Sequence, residues 1–159
     1  KLTLTAMINI NVLSEDKVWS NKLKRKSFFF NSLCNNFPRK YKFINKKVVL
    51  TLLLSNNKKI KRLNKRFRNK NKATDILSFP FSNKVNLKKN NYLGDIIISY
   101  NFMNNPRSKK NSIFEERVIK TFIHGFLHLL GYDHLKNRDH KKMVKEEKKI
   151  YKSVISKLN

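Results

Sequence analysis

Phe122-Ile-His-Gly-Phe-Leu-His-Leu-Leu-Gly-Tyr-Asp-His134 is the stretch on which the reading of the chain turns, and it holds three of the four histidines. His124 and His128 stand four residues apart, so on a helix they project side by side from one face. Ile119, Phe122, Ile123, Phe126, Leu127 and Leu130 recur at the three-and-four spacing of a buried stripe, with Arg117, Thr121, His124 and His128 opposite. The pattern predicts an amphipathic helix whose histidines face a cleft or a neighbouring element, not the main core. Gly131 can take positive φ and end that helix, which lets the chain fold back and bring His134 toward the first two. A lone histidine here would read as a surface or satisfied core residue. Three around a glycine at ligand spacing read as a site for one divalent metal ion, with Zn2+ the best match and a fourth position left for water.

Working outward, Leu2 to Val12 alternates loosely and predicts a first strand. Ser14 or Asp16 is placed to cap a following helix, with Trp19, Leu23, Phe30, Leu33, Cys34 and Phe37 on its core face and Phe37-Pro38 ending it. Val48 to Leu54 is a continuous apolar run of strand-favouring residues, predicting a central strand buried on both sides. Ser55 or Asn56 then opens a helix with Ile60, Leu63 and Phe67 inward and Lys58, Lys59, Lys61, Arg62, Lys65 and Arg66 outward. A strand follows at Ile76 to Phe81, with Pro80 marking an edge or a strand end. Another runs from Leu93 to Ser99 and is expected to pair with it as a hairpin, Gly94 marking a bulge or a close backbone approach. Residues 100 to 112 predict little beyond a helical turn or two. The histidine helix begins at Phe114, and a last helix from about Asn137 buries Met143, Val144, the stem of Glu147, Ile150, Tyr151, Val154 and Leu158. The expected fold class is α+β, a single mixed four-stranded sheet packed with about five helices, with residues 1–159 forming one domain.

The 159-residue chain carries 37 Lys+Arg against 10 Asp+Glu, a formal net charge of +27. Such a balance favours polyanionic partners, RNA or DNA first. Lys, Asn, Ile and Phe are also favoured by AT-rich codons, so charge by itself does not establish nucleic-acid binding. The one cysteine, Cys34, cannot form an internal disulfide, suits a reducing compartment, and reads as a small buried hydrophobe. No stretch approaches the ~20 apolar residues of a membrane span, and no secretory signal is visible. A soluble cytoplasmic protein with no membrane partner is expected. The first residue is Lys1 and not methionine, which leaves the true start open.

Three blocks of the chain resemble the YbeY endoribonucleases, also called the rRNA maturation RNases. They are Leu63-Asn-Lys-Arg-Phe-Arg68 running into Thr74-Asp-Ile-Leu-Ser-Phe-Pro80, then Leu93-Gly-Asp-Ile96, then His124 to His134 followed by Met143 and Glu147. Together they span nearly all of the chain after residue 60, whereas the N-terminal third matches only in its pattern of elements. The resemblance implies a single-strand-specific, metal-dependent endoribonuclease. Its implied work is 3′-end processing of small-subunit (16S) ribosomal RNA and ribosome quality control. Ribosomal RNA, the small subunit and assembly factors are the implied partners. The three histidine ligands of the family map onto His124, His128 and His134, and a functional arginine onto Arg68. Ala73 stands where the family often has proline, which loosens a turn without removing a reactive group. His140 matches no family ligand and reads as a surface residue.

The histidine spacing is similar to that of the metzincin proteases as well, but those carry a glutamate base directly after the first histidine. Here that residue is Gly125, which cannot move a proton, so peptide hydrolysis by that route is disfavoured. In the nuclease reading, Arg68 holds the scissile phosphate and stabilises its growing charge. Asp75, Asp95 and Asp133 are placed to act as a base or to orient the imidazoles, or simply to form turn and strand-end hydrogen bonds. The alternative of a different class is a ribosome-assembly or RNA-binding factor with a structural metal.

Overall fold

The computed structural model describes residues 7–44, 46–83, 85–87 and 89–158. In chain order they form β1 (Ile8–Ser14), α1 (Trp19–Lys22), α2 (Lys26–Asn35), a 3-10 turn at Arg39–Tyr41, β2 (Val48–Ser55), α3 (Asn57–Arg68), β3 (Ile76–Pro80), β4 (Tyr92–Ser99), α4 (Tyr100–Met103), α5 (Asn111–Leu129) and α6 (Asn137–Leu158). The strands make one sheet in the order β1-β2-β4-β3. β1 and β4 both run parallel to β2, and β3 pairs antiparallel with β4. This is the mixed four-stranded α+β sheet expected from the sequence, with six helices in place of about five.

The additional helix arises because the first long helix breaks. Leu23 leaves α1 in an extended conformation and Arg25 takes positive φ before α2 begins. Each piece has its own anchor on the sheet. The Trp19 indole N–H donates to the Ser55 carbonyl at the end of β2, at 2.9 Å. The Asn31 amide of α2 exchanges hydrogen bonds with both backbone groups of Ile10, at 3.0 and 3.2 Å. Those groups face the open side of edge strand β1, so the amide also blunts an edge that would otherwise pair with another chain. All six predicted core residues of this region are buried on either side of the break. Neither Ser14 nor Asp16 caps α1. Asp16 instead accepts from the Val18 N–H and the Asn56 side chain. Of the predicted first strand, residues 2–6 lie outside the described residues, and the pairing continues past Val12 to Ser14 opposite Leu54.

β2 alternates as a strand must. Val48, Leu50, Leu52 and Leu54 are fully buried in the main core, which they share with α2, α5 and α6. The strand is not buried on both sides as the continuous apolar run predicts: Val49, Thr51 and Leu53 on the opposite face are only half-buried. That face is partly roofed by α3, whose N-terminus is capped by the Asn56 side chain accepting from the Lys59 N–H at 3.0 Å. Ile60 points inward as predicted, but Phe67 is 58% exposed. Buried Asn64 takes the inward position, because its amide must reach the Lys72 carbonyl, at 2.8 Å, to close the turn into β3. Leu158 is 53% exposed as well, since the last turn of α6 runs past the core.

β3 is the other edge strand, consistent with Pro80. The β3–β4 pair needs Gly94, whose φ is +138°. A Cβ there would overlap the Phe79 carbonyl oxygen and press on the Leu129 side chain at 3.0 Å. Gly131 also has positive φ, +94°, but a Cβ there would meet nothing within 4 Å. Gly131→Ala is therefore expected to destabilise by about 1–2 kcal/mol, the backbone cost alone. Gly94→Ala adds a backbone collision and is expected to lose at least about 2 kcal/mol more. Urea midpoints of the two variants check the order, and equal losses would show that the β3–β4 pair relaxes freely around position 94.

Candidate metal centre

α5 lies across β3 and β4, and at Gly125 it rests closely on their side chains. A Cβ on that residue would come within 2.5 Å of Ile76 Cδ1 and 3.0 Å of Ser78 Oγ. The gap is closed by a buried hydrogen bond from the Ser78 hydroxyl to the Gly125 carbonyl, at 3.1 Å. Phe122, Phe126 and their neighbours then fill the core, and His124 and His128 emerge half-buried on the far side of the helix. The helix stops as the sequence predicts. The Tyr132 N–H reaches the Leu127 carbonyl and the Gly131 N–H the His128 carbonyl, both at 3.0 Å, around the positive φ of Gly131. That pair of bonds is the Schellman termination, and it turns the chain so that His134 faces the first two rings.

Each helical imidazole has one nitrogen committed. His124 Nδ1 lies 2.6 Å from Glu147 Oε1 of α6, and His128 Nδ1 lies 2.9 Å from the Tyr132 carbonyl oxygen. A carboxylate and a carbonyl only accept, so the proton of each neutral ring sits on Nδ1. In that neutral form both Nε2 lone pairs are free of protons and face each other at 3.0 Å, whereas a proton on one of them makes the contact a hydrogen bond. Two such lone pairs repel unless a cation lies near both. One donor nitrogen from each of His124, His128 and His134 falls within 4.8 Å of the others, a group that could hold one metal ion. Tetrahedral zinc at its usual bond length puts neighbouring nitrogens roughly 3.3 Å apart; the His124–His128 pair already stands near that spacing, and His134 would close in to complete the group. Burial first, and then repulsion between its protonated form and the neighbouring His124 ring, hold the His128 pKa below the usual imidazole value. This keeps the ring neutral and able to bind a metal.

The three histidines line a cleft of about 570 Å³ that also takes in Arg68, Thr74, Asp75 and Ser78. Arg68, at the exposed end of α3, donates to the Ser78 carbonyl at 3.2 Å and lies over the Phe79 ring, 5.8 Å from its centre. Ser78 therefore links Arg68 through its carbonyl and α5 through its hydroxyl. The three aspartates singled out from the sequence do not orient the imidazoles. Asp133 accepts from the backbone N–H groups of His134 and Leu135, at 2.6 and 3.1 Å, and shapes the turn. Asp75 accepts from the Ile76 N–H and the Thr74 hydroxyl. Asp95 bonds the Tyr92 hydroxyl and belongs to an apolar groove of about 410 Å³ away from the histidines, lined by Leu13, Leu53, Leu63 and Phe67. Glu147 does what was expected of the aspartates. Its signal was a glutamate on the inward stripe of an otherwise lysine-rich helix, which reads from sequence as a buried stem. His140 is exposed on α6 and stays outside the donor group, as expected.

The family model described as Endoribonuclease YbeY matches residues 10–155. A curated Endoribonuclease YbeY from Pelagibacter ubique (strain HTCC1062) is 62% identical over 152 residues, covering 96% of this chain and 99% of the relative. Another from Ehrlichia canis (strain Jake) is 37% identical over 128 residues, covering 80% of each. Among solved structures, the solution structure of a protein from Thermotoga maritima superposes with a TM-score of 0.60 at 26% identity, over 94% of this chain and 91% of that one.

A carboxylate behind a ligating imidazole ordinarily contributes 10–100-fold to metal affinity. Glu147→Ala is therefore expected to weaken zinc binding by about 10–100-fold, read by competition with a chelator. Undiminished affinity would mean that His124 is oriented by helix packing alone.

Proposed function

Since the chain belongs to the YbeY endoribonuclease family, we propose that this endoribonuclease cuts single-stranded RNA in a metal-dependent reaction at the His124–His128–His134 cleft. Its proposed substrate is small-subunit ribosomal RNA, in 3′-end processing and ribosome quality control, with the small subunit and assembly factors as cytoplasmic partners. One observation carries the reading. The donor nitrogens of three histidines, two of them 3.0 Å apart, open into the same cleft as an arginine whose guanidinium has donors to spare.

The chain's own groups divide the work as follows. His124, His128 and His134 would hold a divalent ion, zinc by donor type, which supplies Lewis acidity toward a phosphoryl oxygen or water. Glu147 and the Tyr132 carbonyl keep the imidazole protons on Nδ1 and the lone pairs turned to the cleft. Arg68 commits one of its five N–H donors to Ser78, and the remainder can grip a phosphodiester and stabilise the charge that develops on its oxygens. The outer face of α3, with Lys58, Lys61, Arg62, Lys65 and Arg66, would draw the rest of the RNA strand by charge. The net charge of +27 supports a polyanionic substrate. Among the described residues no helix is long and apolar enough to cross a membrane.

Gly125 speaks against the peptidase rival because it places no carboxylate after His124 to act as the base, and Glu147 is engaged at His124 Nδ1.

Arg68→Ala is expected to slow cleavage of a defined single-stranded RNA by ~10²–10³ with folding unchanged; a wild-type rate would remove Arg68 from the reaction. Chelation is expected to stop cleavage while leaving the circular dichroism spectrum intact, because the histidines sit at a cleft and not in the main core. A chain that unfolds on chelation and never cuts RNA would instead favour a binding factor with a structural metal.

A further inference from the structure

His128 and His134 approach the donor point from the two sides of one short turn, so the shape of that turn decides whether the three donors converge. The turn is tied down at Tyr132. Its N–H donates to the Leu127 carbonyl at 3.0 Å, and its carbonyl accepts from His128 Nδ1 at 2.9 Å. Its hydroxyl lies 3.2 Å from the Tyr41 hydroxyl and accepts from Lys40 Nζ at 3.3 Å. Tyr41 comes from the 3-10 turn, 91 residues earlier in the chain. It is buried against Phe126 of α5, with ring centres 6.2 Å apart.

The Tyr41 hydroxyl also donates to Glu146 of α6. Lys40 and Lys149 flank that carboxylate at 3.8 and 3.5 Å. The hydrogen bond from Tyr41 holds the Glu146 carboxyl below the usual carboxylate range, so it stays an acceptor. Burial pushes the Tyr41 phenol upward, so it stays a donor. Glu146 directly precedes Glu147, the residue behind His124. Two consecutive glutamates of α6 thus support the cleft from two sides, one directly and one through a pair of tyrosines.

We propose that Tyr41, Glu146 and the Tyr132 hydroxyl form a positioning clamp that holds the 131–134 turn in the shape in which His128 and His134 meet His124. The clamp touches neither substrate nor metal, and it rests on the reading of the three histidines as metal ligands. Loss of one hydroxyl frees the Tyr132 ring, loosens the carbonyl that fixes the His128 tautomer, and lets His134 swing from the donor point.

Zinc affinity of the full chain, by competition with a chelator, tests this. Binding by the unaltered protein is measured first, and no binding would overturn the metal reading and the clamp with it. Tyr41→Phe and Tyr132→Phe are each expected to weaken zinc about tenfold, the low end of the range for groups that hold a ligand directly. The double variant is expected to be no weaker than either single, since both remove the same link. Tyr92→Phe is the control, because its hydroxyl bonds Thr51 and Asp95 away from the histidines, and its zinc affinity is expected to be unchanged. Single variants within about twofold of the unaltered protein, or losses that multiply in the double, would overturn the clamp. Phenylalanine keeps the ring in the core, and thermal melts of the zinc-free variants confirm folding. Should Tyr41→Phe not fold, Glu146→Gln weakens the same link from α6 and carries the same expectation.

Discussion

The contact between Gly125 and Ser78 governs how the rest of the molecule is arranged. The helix can settle onto Ile76, Ser78 and Ile96 of the sheet because the residue at the crossing has no side chain, and the Ser78 hydroxyl satisfies the Gly125 carbonyl that the close approach buries. An unpaired carbonyl there would cost about 1–3 kcal/mol, so the hydroxyl is part of the crossing and not an ornament on it. From this crossing follow the direction in which His124 and His128 leave α5 and the side of the sheet on which the cleft opens. The Ser78 carbonyl points the other way and receives Arg68. One serine on an edge strand therefore spaces the arginine against the histidine helix.

Around that crossing the site is assembled by hydrogen bonds that select tautomers. A histidine pair four apart on a helix does not by itself present two lone pairs to one point, because each ring has two nitrogens and free rotation about its bonds. Glu147 and the Tyr132 carbonyl remove that ambiguity by taking the Nδ1 protons. The electrostatic consequence is a pair of facing lone pairs in a basic protein, a place that draws a cation between the rings and whose imidazole donors suit a borderline divalent ion. In a chain of net charge +27, Glu147 is the carboxylate that meets these rings, through His124.

Much of the fold could be read along the chain. β2, β3 and β4, the Asn56 cap, the Gly131 stop and the histidine helix fall where period and punctuation put them, since each is decided within a few residues. What escaped was non-local. The break at Leu23–Arg25 depends on where Ser55 and Ile10 stand in the folded sheet, so a wheel drawn through Trp19 to Phe37 finds the right core residues and the wrong helix. Phe67 was placed inward by spacing, but Asn64 outcompetes it through a carbonyl eight residues away. Asp75, Asp95 and Asp133 were plausible partners for the imidazoles by charge alone, and the sheet sends Asp95 away from the histidines.

By itself the sequence determined the donor set. Three histidines, a helix period and one glycine are local facts, and they suffice to predict imidazoles converging near residue 131. It also determined the absence of a glutamate at position 125. Only the tertiary structure decided which nitrogen of each ring faces the cleft, that Arg68 shares that cleft, and that α6 and the 3-10 turn hold the site from behind. The physical reason is that the tautomer of His124 is set by Glu147, 23 residues distant in the chain, and that the turn carrying His134 is bonded at Tyr132 to Tyr41, 91 residues distant; no periodicity carries information across such gaps.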